Sequence, residues 1–168
     1  MTRLKRAVLV LLIVTACVGC DQMTKSIAKS YLFTHPMISI LGDTFRVQYA
    51  ENDGAFLGLG ASLPQKTRMF IFTGGVSLFL MSAFIYLIFA SGIDALTVLS
   101  LSLVIGGGLS NLLDRIFYNG HVIDFLNLGF GSLRTGIFNV ADLVIMLGMF
   151  LLVISSIKAS GRQKLKPD

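Results

Sequence analysis

The sequence predicts an all-α membrane protein of four transmembrane helices, with a small extracytoplasmic β-sheet and a short outer-side helix or loop. Of the 168 residues, 54% are hydrophobic and 14% are charged, whereas soluble domains carry about 25% charged residues. Four stretches approach the length of about 20 apolar residues that a helix needs to cross a bilayer. One connecting segment alternates apolar and polar residues like a β-strand. We expect a single integral membrane domain.

The four predicted spans cover about residues 7–28, 69–93, 95–113 and 137–157. The first span is the weakest, because its uncharged stretch is short and Asp21 and Lys25 follow it. A helix that reaches residue 28 therefore requires that Asp21 is tolerated near one end of the span.

Basic residues at both ends of the chain set the predicted topology. The positive-inside rule places both tails in the cytoplasm, which requires an even number of spans. The segments 33–66 and 114–136 then lie outside. The basic residues form no run inside the chain, so nucleic acid is not expected as a partner. The tail residues are Arg3, Lys5, Arg6, Lys158, Arg162, Lys164 and Lys166.

Acidic residues are distributed unevenly across this topology, and this is the main indication of function. Asp94 and Asp168 fall on the inner side. The other acids converge on the outer side, at or near the ends of the spans. These are Asp21, Asp43, Glu51, Asp53, Asp114, Asp124 and Asp142.

The first outer segment carries the pattern of a β-hairpin. Residues 45–50 alternate with a period of two, residues 37–41 are a plausible partner strand, and Gly42-Asp43 is the predicted turn. Gly54, Gly58 and Gly60 follow among apolar residues and predict a glycine-jointed apolar tip. An ordinary surface hairpin explains the pattern equally well.

The second outer segment begins with a tight-turn signal, Asn119-Gly120. Residues 122–125 then place Asp124 among large apolar neighbours. The sequence therefore predicts a buried carboxylate shortly after the third span.

Polar residues recur at helical spacing near the outer ends of the spans. Asn111 is three residues before Asp114 and four before Arg115, so one helical face can carry all three. The glycines at 106–108 allow a neighbouring helix to approach closely. Asn139 and Asp142 share a face in the same way.

An ionised residue at membrane depth costs about 2.5–3.5 kcal/mol, so such residues usually serve function. The alternative is that Asp21–Lys25 and Asp114–Arg115 are neutralising pairs that fix helix packing.

Asp124 and Asp142 fit the neutralising interpretation less well, because neither has a basic residue within four positions. Two carboxylates in one low-dielectric space cannot both ionise, so they share a proton. The ionised partner can deprotonate a water molecule while the protonated partner hydrogen-bonds a carbonyl group. This chemistry needs neither a metal nor a covalent nucleophile.

Cysteine and histidine give little indication of function. Cys17 and Cys20 lie on one predicted helix, and His35 and His121 are far apart, so no metal site is expected. Cys20, after a basic N-terminus and an apolar run, also resembles the modifiable cysteine of a lipoprotein signal peptide. Three further spans make such a lipid anchor redundant.

Five motifs, in order along nearly the whole chain, resemble those of lipoprotein signal peptidase, also called signal peptidase II. Each motif alone is a weak signal, and their order makes the resemblance strong. They are residues 21–25 (DQMTK), 52–56 (NDGAF), 108–115 (GLSNLLDR), 122–125 (VIDF) and 138–142 (FNVAD).

The resemblance implies a membrane-embedded aspartic endopeptidase that cleaves diacylglyceryl prolipoproteins immediately before the lipidated cysteine. Asp124 and Asp142 match the catalytic pair of that family. The outer hairpin matches an element that cradles the substrate. The positions that match substrate-binding or supporting residues are Asn52, Gly54, Asn111, Asp114, Arg115, Asn139, Asp21 and Lys25.

The resemblance also implies partners and a location. Membrane lipids surround the protein, a cyclic depsipeptide inhibitor of the globomycin type is expected to bind, and no cofactor is needed. We expect a monomer in the bacterial cytoplasmic (inner) membrane, with its active site near the outer leaflet. One motif departs from the family, which usually reads Asn-x-Gly-Ala-Ala-Phe, because Asn52-Asp53-Gly54-Ala55 here runs directly into Phe56.

Other classes of protein are less consistent with the sequence. A small polytopic transporter or proton channel could relay ions through the outer-side aspartates, but such proteins usually carry charges at mid-span or repeated halves. An intramembrane aspartyl protease of the prepilin-peptidase type needs a Gly-x-Gly-Asp element, which the chain lacks. A structural scaffold gives no reason for Asp124 and Asp142 to be unpaired.

Overall fold

The computed structural model contains four helices that are long and apolar enough to cross a membrane, and a four-stranded antiparallel sheet. It describes residues 1–54, 60 and 62–164. The predicted fold class is confirmed. The helices are α1 (Arg3–Leu32), α2 (Gln65–Phe89), α3 (Ala95–Phe117) and α4 (Val140–Lys164).

Two helices extend beyond the residues at which hydropathy ends the spans. α1 continues through Lys25, and α3 continues through Arg115. Both side chains are at most 7% exposed. Hydropathy reads a charged residue as the end of a span, because it does not distinguish a charge in water from one packed against other helices.

α2 lies four residues earlier in the chain than predicted, since it begins at Gln65 rather than 69 and ends at Phe89 rather than 93. The cause is the cap of the next helix. The carboxylate of Asp94 accepts a 2.9 Å hydrogen bond from the backbone N–H of Thr97, which fixes the start of α3. Within α2, Met69–Gly75 forms a π-helical turn that hydropathy does not predict.

α3 is the central helix of the bundle, and 12 of its 23 residues are buried. Its glycines at 106–108 each face a different helix, because successive helical residues project about 100° apart. A Cβ atom added at 106 would lie 2.7 Å from Cys17 Cβ on α1. One added at 107 would lie 2.6 Å from Ala141 O on α4, and one added at 108 would lie 2.8 Å from Leu80 Cδ2 on α2. The predicted close approach of helices is confirmed for all three neighbours.

Two apolar clusters hold the helices and the sheet together. The first joins α1, α2 and α3 in the half of the bundle away from the sheet, and consists of Val10, Leu87, Val98 and Ile105. The second packs the other end of α1 against the sheet, and consists of Ala28, Leu32 and Phe125.

The sheet lies at one end of the helices, which we call the sheet end. The predicted hairpin is confirmed, because Ile38 pairs with Val47 and Ile40 with Phe45. The third and fourth strands were not predicted, because the start of the third is buried on both faces and lacks alternation. The strands are β1 (Ile38–Ile40), β2 (Phe45–Asn52), β3 (Val122–Phe130) and β4 (Leu133–Arg134).

We predict that Gly107→Ala destabilises the protein by about 1–3 kcal/mol, because the added methyl group overlaps the backbone of α4. Thermal unfolding in detergent, followed by circular dichroism, measures the effect. Gly19→Ala is the matched control, since no heavy atom lies within 4 Å of its Cβ position on α1. It should leave stability unchanged or raise it by about 0.5–1 kcal/mol. Equal effects of the two variants contradict the packing argument.

Candidate active site

The sheet end of the bundle buries a cluster of charged and amide side chains. They come from α1, α3, β3, α4 and the residue that precedes α4, so the tertiary fold and not local sequence assembles them. Each is at most 9% exposed. The cluster consists of Asp21, Lys25, Asn111, Asp114, Arg115, Asp124, Asn139 and Asp142.

Lys25 is the centre of this cluster, and its ammonium group has an acceptor for each of its three protons. Its Nζ atom lies 2.6 Å from Asp21 Oδ2, 2.8 Å from Asp114 Oδ2 and 2.8 Å from Asn111 Oδ1. The three charged residues are at most 1% exposed. Asp21 and Lys25 form the predicted pair, but Asp114 pairs with Lys25 and not with Arg115.

The two carboxylates bound to Lys25 also position the backbone around the site. Asp21 Oδ1 accepts a 2.8 Å hydrogen bond from the N–H of Ala141, in the first turn of α4. Asp114 Oδ2 accepts a 3.1 Å hydrogen bond from the N–H of Ile123, the residue before Asp124. The ion cluster therefore fixes the two segments that carry the candidate catalytic aspartates.

Asp124 lies on β3 beside a bulge, since Val47 pairs with Leu126 but Ala50 pairs with Asp124. Such irregularities re-aim side chains at functional sites. Asp124 Oδ1 accepts a 2.7 Å hydrogen bond from Asn139, and Oδ2 a 2.9 Å hydrogen bond from Asn52.

Burial of Asp124 raises its pKa to about 7, and the nearby Asp142 carboxylate contributes to the shift. The hydrogen bonds from Asn52 and Asn139 oppose the shift, because they stabilise the ionised form. Asp124 is therefore a carboxyl group that can hold a proton near neutral pH.

Asp142 lies in the first turn of α4, where it forms a reciprocal cap with Asn139. The N–H of Asn139 donates to Asp142 Oδ2 at 3.2 Å, and the N–H of Asp142 donates to Asn139 Oδ1 at 3.0 Å. The other carboxylate oxygen accepts a 2.9 Å hydrogen bond from Asn111. A helix N-terminus favours an anion at this position.

Asn139 and Asn111 connect the two aspartates. The amide of Asn139 donates to Asp124 and, at 3.1 Å, to Asn111 Oδ1, while the amide of Asn111 donates to Asp142. Asp124 and Asp142 are thus two ends of one buried hydrogen-bond chain. The predicted catalytic pair lies in a single site.

Arg115 closes the site on the side of α2. Its guanidinium donates to Gly54 O at 2.9 Å and to Asn111 O at 3.2 Å, and it lies over the ring of Phe72 on the π-helical turn. The Nε atom of Arg115 is buried and has no hydrogen-bond partner among the described residues. One buried N–H of this guanidinium is therefore without an acceptor in the described part of the chain.

A cavity of about 480 Å³ opens between α2 and α4 beside this guanidinium. Polar groups line the end nearer the sheet, and apolar side chains line the rest. The residues that line it are Phe72, Val76, Gly108, Asn111, Arg115, Asp142, Ile145, Met146 and Met149.

The segment after β2 is held by the site. Gly54 N donates a 2.9 Å hydrogen bond to Asn52 Oδ1, and Asp53 contacts Arg68, with Nη1 at 3.0 Å, and His121. Sequence reasoning gave neither Arg68 nor His121 a role. The predicted apolar tip at Phe56 and Gly58, with the departure from the family motif, lies outside the described residues.

Two residues of the site were missed by sequence analysis. Ser110 Oγ donates a 2.7 Å hydrogen bond to Asp21, and Gln22 Nε2 donates at 2.7 Å to Asp114. Gln22 lies inside the motif of residues 21–25, so its position was a usable signal. In residues 1–54, 60 and 62–164, no group of three or more His, Cys, Asp or Glu side chains could hold a metal ion.

Comparisons with known proteins agree with this architecture. The model of the family described as "Signal peptidase (SPase) II" matches residues 13–158. The chain is 34% identical to the lipoprotein signal peptidase of Syntrophus aciditrophicus over 89% of this chain and 94% of that protein. It is 32% identical to that of Moorella thermoacetica over 94% and 98% of the two chains.

A solved structure described as a bacterial membrane enzyme, obtained by the in meso method at 2.3 Å resolution, has a similar fold. Its TM-score is 0.80 at 25% identity, and the match covers 95% of this chain and 93% of that one. Together with the four apolar helices, this similarity makes the chain a multi-pass membrane protein.

We predict that Asp124→Asn stabilises the protein above pH 7 but not at pH 4. Because the folded state raises the pKa of Asp124 to about 7, ionisation of this group costs stability as pH rises from about 4 to about 7. The gain should be a few kcal/mol at most. Denaturant unfolding of both proteins across this pH range measures it.

Asp43→Asn is the control, and it should lower stability at neutral pH where Asp124→Asn raises it. The hydrogen bonds from Arg46 and then Ser39 hold the pKa of Asp43 below its usual range. Its contribution to stability is therefore present at neutral pH and lost as pH falls through that low pKa. If Asp124→Asn shows no pH-dependent gain, the buried-carboxyl description of Asp124 is wrong.

Proposed function

The chain belongs to the signal peptidase II family, and we propose that it is an aspartic endopeptidase that removes signal peptides from diacylglyceryl-modified prolipoproteins. Membership of the family makes it a peptidase of prolipoproteins. One observation carries the aspartic mechanism: Asp124 and Asp142 are buried at the two ends of one hydrogen-bond chain. Asp142 lines a cavity that opens between two membrane helices.

In this mechanism the pair holds one proton, with Asp124 protonated and Asp142 ionised. Asp142 takes a proton from a water molecule, and the resulting hydroxide attacks the carbonyl carbon of the scissile bond. Asp124 donates its proton to the carbonyl oxygen. Return of a proton to the amide nitrogen then breaks the carbon–nitrogen bond and releases the signal peptide and a new N-terminus.

The neighbouring side chains position this chemistry. Asn139 and Asn111 each donate to one oxygen of a carboxyl group, and Asn52 and the N–H of Asn139 donate to the other two oxygens. The remaining lone pairs of these oxygens are available for water and substrate. Arg115 lines the cavity, so its guanidinium is the group of the site that can donate to a backbone carbonyl of the substrate. Asn52, Gly54, Asp114, Asp21 and Lys25 support the site through the contacts described above.

We place the protein in the bacterial cytoplasmic (inner) membrane, with both termini in the cytoplasm and the site near the outer leaflet. The support is the basic tails at the end of the bundle opposite the sheet. A lipidated cysteine stays at the outer interface, which matches the depth of Asp124 and Asp142. We propose cleavage immediately before that cysteine by a monomer that binds globomycin-type cyclic depsipeptides.

A transporter or proton channel is less consistent with the packing. An ion would have to continue from the aspartates along the bundle. Among the described residues, the half of the bundle away from the sheet contains the apolar cluster of Val10, Leu87, Val98 and Ile105. An ion there would meet a hydrocarbon-like environment.

We predict that Asp124→Asn and Asp142→Asn each lower kcat/KM by at least about 10²–10⁴-fold, because neither amide can exchange the proton. The assay is cleavage of a diacylglyceryl prolipoprotein by purified enzyme. Glu51→Gln is the control, because this exposed carboxylate contacts only Tyr49 in the described structure. It should change activity less than twofold. Substantial turnover by either dyad variant refutes the mechanism.

We predict that activity falls as pH rises above about 7, because Asp124 loses its proton there. Asn52→Ala should move this alkaline limb to higher pH, since Asn52 stabilises the ionised form of Asp124. The measurement is kcat/KM against pH for both enzymes. A limb that stays in place, or that moves to lower pH, contradicts the assignment of Asp124 as the acid.

A further inference from the structure

A groove continues from the active site to the opposite end of the bundle. α2 and α4 both pack on α3 and leave the groove between them. Its sheet-end part is the 480 Å³ cavity beside Asp142. Its second part, of about 770 Å³, runs along Phe79, Tyr86 and Leu101. Met149 lines both parts, so the two parts adjoin at this side chain on α4.

The far end of the groove contains a carboxylate. Asp94 lines this end, where Oδ2 accepts hydrogen bonds from Thr97 Oγ1 at 3.0 Å and from Ser155 Oγ at 2.9 Å. Its Oδ1 accepts the backbone N–H of Thr97. These bonds fix the side chain, and a carboxylate has further lone pairs available for a cation.

Asp94 differs from every other acid in the described chain, since it alone lies at the end opposite the sheet. It is exposed, and the backbone N–H of Thr97 keeps its pKa low, so it is ionised at neutral pH. Basic residues of α1 lie at the same end, where Arg3 lies over the ring of Phe89 and Arg6 donates to the carbonyl of Ala90. A cationic segment would be repelled over most of this end and attracted at one point, the mouth of the groove.

We propose that Asp94 is a specificity residue that pairs with the basic N-terminal region of the signal peptide while the apolar stretch of the peptide lies in the groove. The proposal rests on the proposed function and extends it to the end of the substrate farthest from the cut. Signal peptides carry a positively charged N-terminal region followed by 7–15 apolar residues and then the cleavage site.

The length of the groove agrees with this occupant. Asp142 and Ser155 are 13 residues apart on α4, which corresponds to about 20 Å along a helix. An apolar helical stretch of about 13 residues therefore spans from the dyad to Asp94. The direction is also correct, because the cut end meets Asp142 and the basic end meets Asp94.

A lipid with an amine headgroup is the competing occupant, because it too combines an apolar chain with a cation. The continuity of the groove with the dyad favours the peptide. A lipid would have no reason to match the distance between Asp142 and Asp94.

The test compares two diacylglyceryl prolipoproteins that differ only in the N-terminal region of the signal peptide. The lysine substrate carries lysines there, and the glutamine substrate carries glutamines in their place. Asp94→Asn removes the charge but keeps a good helix cap. We expect it to raise KM for the lysine substrate about three- to fivefold, the strength of an exposed ion pair. Its kcat, and its KM for the glutamine substrate, should stay unchanged. Ser155→Ala keeps the charge and should keep the preference.

The possible outcomes separate this inference from the proposed function. If the unmodified enzyme cleaves both substrates and Asp94→Asn does not alter their KM ratio, the inference is wrong and the peptidase stands. An equal rise in both KM values assigns Asp94 to the fold or to lipid binding, and also overturns it. If neither substrate is cleaved, the proposed function fails as well.

Binding without cleavage gives an independent readout. In Asp124→Asn enzyme, the uncut substrates are titrated against a fluorescent signal peptide. The lysine substrate should bind about three- to fivefold tighter than the glutamine substrate, and this difference should disappear when Asp94→Asn is added. The difference should also decrease with added salt. A difference that survives the loss of the Asp94 charge excludes this pairing.

Discussion

The fold of this protein depends on one buried ammonium group, that of Lys25. In a bilayer an unpaired charge is costly, but Lys25 has three acceptors, two of them carboxylates from different helices. Because those carboxylates also hold the backbone N–H groups of Ala141 and Ile123, one cation determines how α1, α3, α4 and β3 meet. Loss of any member leaves its partners charged and buried, so the cluster forms as a unit.

The same cluster makes the chemistry of the site possible. Asp124 and Asp142 are buried close to Asp21 and Asp114, two carboxylates that exceed the single positive charge of Lys25. A second full negative charge on the pair therefore has little compensation. Arg115 is the other cation nearby, and its guanidinium is bound to backbone carbonyls rather than to the aspartates. A shared proton is the response that electrostatics favours, and it is also what an aspartic mechanism needs.

The sequence was sufficient for the number of spans and for the first hairpin, because hydropathy and period-two alternation are local properties. It also gave the candidate pair, since Asp124 and Asp142 lack basic neighbours. It failed for the partner of Asp114. Adjacent residues on a helix point in different directions, so Arg115 cannot face Asp114, and the true partner lies on another helix. The π-helical turn and the last two strands depend on tertiary contacts in the same way.

α3 combines packing with chemistry in a short stretch of the chain. The glycines at 106–108 bring three helices close to α3, and the next turns carry Asn111, Asp114 and Arg115. Hydrogen bonds to side chains and backbone groups of the neighbouring elements fix those three side chains, so the site is held in place by its surroundings. In the proposed mechanism, the opening between α2 and α4 admits the lipidated peptide beside Asp142, while β3 brings Asp124 to the same end of the bundle. One helix therefore supplies both the close packing that brings its neighbours together and the polar groups that connect the two aspartates.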